Sequence, residues 1–185
     1  MEENNPMDAT PWYAIRLFSL RLKAVRGYFE EKDVEYFVPM HYVDVVDKEN
    51  HIRHVLKPVV SNLIFVKRTM SDTELVDLIK ESNIKMSIIT RSRQDRAFCE
   101  IPAKQMRDFQ IMCNPEIELR KYLSEEEARL KVGAPVFVKY GPLKGLTGKL
   151  VRSSKKYYLL KEVPGMAVML KVSRWCCVSA ESEKQ

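Results

Sequence analysis

The order of hydrophobic patterns in this chain predicts an α+β protein in two parts: an antiparallel sheet flanked by helices, then a small β-barrel. Three observations predict it. In the front part, apolar runs with strand alternation twice lead into stretches with helical spacing. Behind residue 130, four short β-patterned runs are separated by turns rich in glycine, proline, serine and lysine. The charge is also divided unevenly: residues 1–113 carry 17 Lys and Arg against 17 Asp and Glu, residues 114–128 carry 2 against 5, and residues 129–185 carry 12 against 3. The net basicity therefore belongs to the carboxy-terminal third, and the acidic stretch marks a boundary. The expected organisation is a front domain over 9–113, an acidic linker over 114–128 and a barrel domain over 129–180.

The elements follow in order. WYAIRLF, from Trp12, is β-prone and leads into SLRLKAVRGYFEEK, where Ser19 is placed to cap a helix and Leu22, Val25 and Phe29 share one face. EYFVPMHYVDVVD reads as a strand edged at Pro39, and the turn from Asp47 to Asn50 folds it back on HIRHVLKPVV as a hairpin. NLIFVKR is the next strand. After it, Ser71 and Glu74 have capping-box spacing ahead of the helical face Leu75, Leu78 and Ile79. KMSIIT adds a strand, and Pro102 sits at a helix start before Met106, Phe109 and Cys113. Residues 117–130 read as a short helix or a solvated tether. In PVFVKY, LTGKLVR, YYLLKEV and AVMLKVS the strands alternate around glycine turns, with Val168, Leu170 and Val172 facing inward and the phase of YYLLKEV ambiguous.

Several classes are excluded by what these 185 residues lack. No apolar run reaches the roughly 18 residues of a membrane span, and MEENNPMDAT is too acidic and polar for a signal peptide, so a cytoplasmic location is expected. Cys99, Cys113, Cys176 and Cys177 form no CxxC pair and are expected as buried thiols in a reducing compartment. No glycine-rich phosphate loop follows a strand, no nucleophile signature occurs, and no ligands converge on a metal pattern. No catalytic residue, metal or cofactor is therefore expected. His51 and His54, the nearest approach to a ligand pair, read as surface or packing residues.

The stretch VKYGPLKGLTGKLVR, together with PWYAIRLFS and KPVVSNLIFV, carries a resemblance. The chain resembles the NusG/RfaH family of transcription elongation and antitermination factors over nearly its whole length. Trp12 to Cys113 resembles the family's amino-terminal domain. Arg129 to Ser179 resembles its SH3-like KOW β-barrel, with Val138, Gly141, Pro142, Lys144, Gly145 and Gly148 at the signature positions.

The resemblance implies a factor without chemistry of its own. Its front domain would hold RNA polymerase by the clamp helices, at positions matching Val60, Leu63 and Phe65. Here that depression keeps its apolar character but loses aromatics, and Arg16 stands where relatives often carry an aromatic residue. A basic region around the first helix, Arg16, Arg21, Lys23 and Arg26, would contact the non-template DNA strand, although Ala24 replaces a position often basic in relatives. The KOW domain would recruit a small-subunit ribosomal protein or the Rho terminator through Leu146 and the region Val163, Pro164 and Met166. Composition and the altered clamp face resemble specialised, UpxY-like antiterminators, including those serving surface-polysaccharide operons. A monomer is expected, with a barrel that stays in strand form and leaves the polymerase face open. The alternative is a ribosome-associated or RNA-binding KOW protein, which the basic tail favours and the charge-balanced front opposes.

Overall fold

The structure, a computed structural model, describes residues 9–180, so the reading of the first eight residues as no leader lies outside it. The chain divides into two compact units, Met1–Ala103 and Lys104–Gln185.

The first unit runs β1 (Trp12–Leu17), α1 (Leu22–Glu31), β2 (Tyr36–Phe37), β3 (Met40–Val46), β4 (Ile52–Pro58), β5 (Leu63–Lys67), α2 (Asp72–Glu81), β6 (Met86–Ile88) and β7 (Glu100–Ile101). Its sheet has the order β2-β5-β1-β6, with β7 also on β1, and the paired strands are antiparallel. Alternation along β1 sends Tyr13, Ile15 and Leu17 to the side where Leu22, Val25 and Phe29 of α1 and Leu75 and Ile79 of α2 are packed. Each such side chain contributes roughly 1.5–3 kcal/mol on burial. The capping box at α2 forms as its sequence predicts: Ser71 Oγ accepts from Glu74 N, and Glu74 Oε2 accepts from Ser71 N. Ser19 caps nothing. Helix α1 begins after Arg21 with no side-chain cap, and among the described residues Ser19 Oγ is buried without a hydrogen-bond partner.

The second unit opens with α3 (Ala103–Met112) and continues through β8 (Arg120–Ser124), α4 (Glu125–Arg129), β9 (Gly133–Val138), β10 (Thr147–Ser153), β11 (Lys156–Val163), β12 (Met166–Val172), a 3-10 turn (Arg174–Cys176) and β13 (Cys177–Ser179). These strands form one sheet in the order β13-β9-β10-β11-β12-β8.

Three expectations change here. The segment 114–128 is no free tether, because β8 satisfies its backbone along β12 from Met166↔Ser124 to Leu170↔Arg120. A second capping box, Ser124 with Glu127, then starts α4, so the carboxylates Glu125–Glu127 serve a helix amino terminus. The last helix of the expected front domain, α3, groups with the second unit. Among the described residues the strand ladder does not close into a five-stranded barrel, because β8 occupies the outer edge of β12.

The glycine turn behaves as its chemistry demands. Gly141 and Gly145 adopt φ of 89° and 96°, where a side chain is strained, and Gly145 N donates to Val138 O at 2.9 Å. A Cβ on Gly148 would lie 2.5 Å from Leu160 O, so this strand position needs glycine for close approach. Val168 and Leu170 are buried as predicted, whereas Val172 is half-buried. All four cysteines are free thiols; Cys113 and Cys177 are buried, and Cys99 and Cys176 only partly so. Burial pushes the Cys113 thiol up to about 12, which keeps it neutral and inert.

Candidate functional site

The sheet of the first unit has a second face. Opposite the helix-facing residues of β1 lie Trp12, Ala14 and Arg16, and the register places Ala14 beside Phe65 and Arg16 beside Leu63. Strand β5 is buried on both sides: Ile64 and Val66 join the helix-facing core, while Leu63 is 2% and Phe65 0% exposed. The Phe65 ring lies 6.4 Å from that of Phe37. Val60, in the loop before β5, is half-buried. The expectation of an open apolar depression at these positions is therefore not met. Arg16 alone of this group is exposed.

That same alternation separates Arg16 from the other predicted cations. Arg21 and Lys23 are exposed at the start of α1, and Arg26 lies one turn further on the same side as Lys23. Arg16 points to the other face of the sheet, so the structure brings together three of the four. Arg26 is partly committed: its Nε donates to Tyr36 OH at 3.2 Å, and Tyr36 in turn donates to Glu30 Oε1. Lys23, Arg26 and Glu30 line one wall of a cavity of about 440 Å³, with Met40, Leu56 and Pro58 opposite.

This cavity continues onto a surface that the sequence pattern alone does not single out. Strands β3 and β4 form a separate two-stranded ribbon. Its register places Met40 with Pro58, Tyr42 with Leu56, Asp44 with His54 and Val46 with Ile52 on one face. Tyr42, Leu56, Val46 and Ile52 are exposed, and His54 Nδ1 lies 2.6 Å from Asp44 Oδ1. Alternation puts these side chains on one side of each strand, and only the cross-strand register joins them into one continuous face. The carboxylates of Asp47 and Glu49 and the imidazole of His51 meet at the ribbon's turn, where Asp47 Oδ2 also holds Arg53 Nε at 3.0 Å.

In the second unit, Leu146, Val163 and Met166 are buried and Pro164 is half-buried, so these positions serve packing. Helix α3 makes the polar contacts around them. Gln105 Nε2 donates to Glu162 O at 2.7 Å. Asp108, nearly buried, accepts at Oδ2 from Thr147 Oγ1 at 2.8 Å, Lys161 Nζ at 3.0 Å and Thr147 N at 3.3 Å. Burial works to raise the Asp108 carboxyl, yet the hydrogen bonds and charge of Lys161 and the hydrogen bond of Thr147 prevail and hold it below the ordinary range. Lys161 is lowered by burial, partly offset by Asp108. The ambiguous phase of YYLLKEV hid this lysine, and its partner lies 53 residues away.

A family model described as "Transcription termination factor nusG" matches residues 10–110. The antiparallel sheet with α1 and α2 on one face falls within that span. The class so defined is that of transcription elongation and antitermination factors, and the chain belongs to the NusG family. A search of the curated proteins finds no match to the chain. Proteins of the family act in transcription and generally bind RNA polymerase. Among the described residues no helix is long and apolar enough to cross a membrane.

Proposed function

We propose that this chain is a specialised NusG-family factor whose first unit binds RNA polymerase and whose second unit, read as KOW-like, recruits a further partner. The observation that carries the reading is the family match over 10–110. The second sheet face, with Leu63 and Phe65 inside and Arg16 at its surface, is the polymerase-facing side. Because the two apolar residues are buried in this conformation, engagement of the clamp helices through them requires their uncovering, and Arg16 is the group first available. The Arg21, Lys23 and Arg26 side, with its cavity and the apolar ribbon face, receives displaced non-template DNA. The second unit's partner, a ribosomal protein or Rho, would use the Val163–Met166 turn once Gln105 and Asp108 release it. Operon-specific action, as in surface-polysaccharide operons, fits the departures from the family at the clamp face.

Co-purification tests the reading. Full-length tagged protein is expected to retain core polymerase in preference to ribosomes at matched salt. Arg16→Glu, an exposed substitution, should weaken that retention several-fold while the variant stays folded. Recovery of ribosomes alone would favour the RNA-binding alternative, and undiminished retention by Arg16→Glu would remove this residue from the interface.

A further inference from the structure

We propose that one end of the carboxy-terminal sheet, where the β9–β10 turn meets the 3-10 turn before β13, binds single-stranded RNA by stacking a base on Trp175. Trp175 is 72% exposed, while the backbone beneath is held by Cys176 N donating to Ser173 O at 3.1 Å and by Lys139 N donating to Cys176 O at 2.8 Å. The ring is thus displayed from a fixed support. Tyr140, next in chain to that anchored lysine, is 50% exposed and borders a small cavity of about 190 Å³ that it shares with Pro142, Leu143, Lys171 and Cys176.

Charge complements the aromatic surface. Lys139 Nζ lies 5.6 Å from the centroid of the Tyr140 ring, and Lys171 and Arg174 flank the same junction. Among the described residues none of these three cations is ion-paired, whereas elsewhere in this unit Arg129 pairs with Glu125, Lys149 with Glu162 and Lys161 with Asp108. Glu118, next to the Leu119 carbonyl that accepts from Lys171 N, borders the patch without an ion pair among those residues. Cations left free beside exposed aromatic faces match a single strand, whose bases stack while its phosphates attract lysine and arginine. An acidic peptide would use the cations but not the indole face. A-form duplex offers a deep, narrow major groove and no splayed bases, so the occupant is single-stranded. The choice of RNA rests on the reading of the chain as a transcription factor, whose process yields such a strand; binding itself requires no polymerase.

The test titrates the full chain, without polymerase, with a 12-nucleotide oligouridine. The chain has two tryptophans, and Trp12 is 6% exposed, so fluorescence quenching reports Trp175. Saturable quenching is expected. Trp175→Ala should weaken binding, read by anisotropy, about 5- to 150-fold, the loss of one stacked base. Replacing Lys139, Lys171 and Arg174 with Ser should flatten the log–log salt slope by about 2. The Lys156→Ser variant, an exposed cation elsewhere in the second unit, should leave the quenching unchanged. Unaltered binding by a folded Trp175→Ala variant overturns the proposal, as does loss of quenching in Lys156→Ser. A polyglutamate peptide that quenches as strongly as RNA would instead assign an acidic protein partner, and preference for the matching DNA oligomer would refute RNA as the ligand.

Discussion

Asp108 and Lys161 place an ion pair where water is nearly excluded, so neither charge is safe without the other. Asp108→Asn would leave the ammonium beside a neutral amide, and removing one partner of a buried pair costs about 3–5 kcal/mol. Urea denaturation should show that loss. Asp108→Leu combined with Lys161→Met should recover most of it, because an apolar pair of similar volume carries no desolvation penalty. The pH dependence has a definite sign. A carboxyl held below its unfolded value contributes stability that is fully present above the unfolded range near about 4 and is lost as pH falls through the folded value. The wild type should therefore lose more stability than Asp108→Asn on the acid side. Lys161, lowered by burial, works oppositely: its charge costs stability, and the cost is relieved as pH rises through its folded value.

At the scale of elements, α1 and the β3–β4 ribbon together make the surface proposed for DNA. Lys23 and Arg26 lie on its cavity wall, Arg21 stands at the helix start, and the opposite wall is apolar. Replacing all three with Ser should reduce the slope of log affinity against log salt by roughly 0.7 for each phosphate of a single strand that is no longer neutralised. Measuring binding of a DNA single strand from 50 to 300 mM salt checks this; an unchanged slope would mean that these cations are only solvated. Arg26 also supports Tyr36, so the α1 variants Arg21→Ser and Lys23→Ser taken separately isolate the charge effect from packing. Three of these positions are legible in the sequence as a basic helix start. Arg16 is near them along the chain, but a strand alternates with period 2 and its even positions here face away from α1.

For the whole molecule, the decisive question is where the second unit begins. A fragment starting at residue 104 keeps α3, β8 and the Asp108 counter-ion, whereas one starting at 129 exposes the outer edge of β12 and strands Lys161 in the interior. The longer fragment is expected to be the more stable by at least about 3 kcal/mol in chemical denaturation. Equal stability would show that neither α3 nor β8 is integral to the unit. Carbon chemical shifts of the full chain should be those of strands over 133–138, 147–153 and 156–163, in line with the β-branched residues and glycines that oppose a helix there.

The α+β class, the strand–helix alternation of the first unit, the Ser71–Glu74 cap, the glycine turn around Gly145 and the family are legible in the amino-acid order alone, whereas β7, β8 and β13 are not. The legible features are written in interactions that span a few residues: a period, a cap, a backbone angle. Long-range packing sets the pairing of β8 with β12, the meeting of Asp108 with Lys161, and the burial of Leu63 and Phe65. Those outcomes depend on which sheet edge is free and which distant groups share it. An acidic run can be a solvated linker or a capped helix behind a paired strand, and its local pattern is the same in both; the unpaired edge of β12 selects between them.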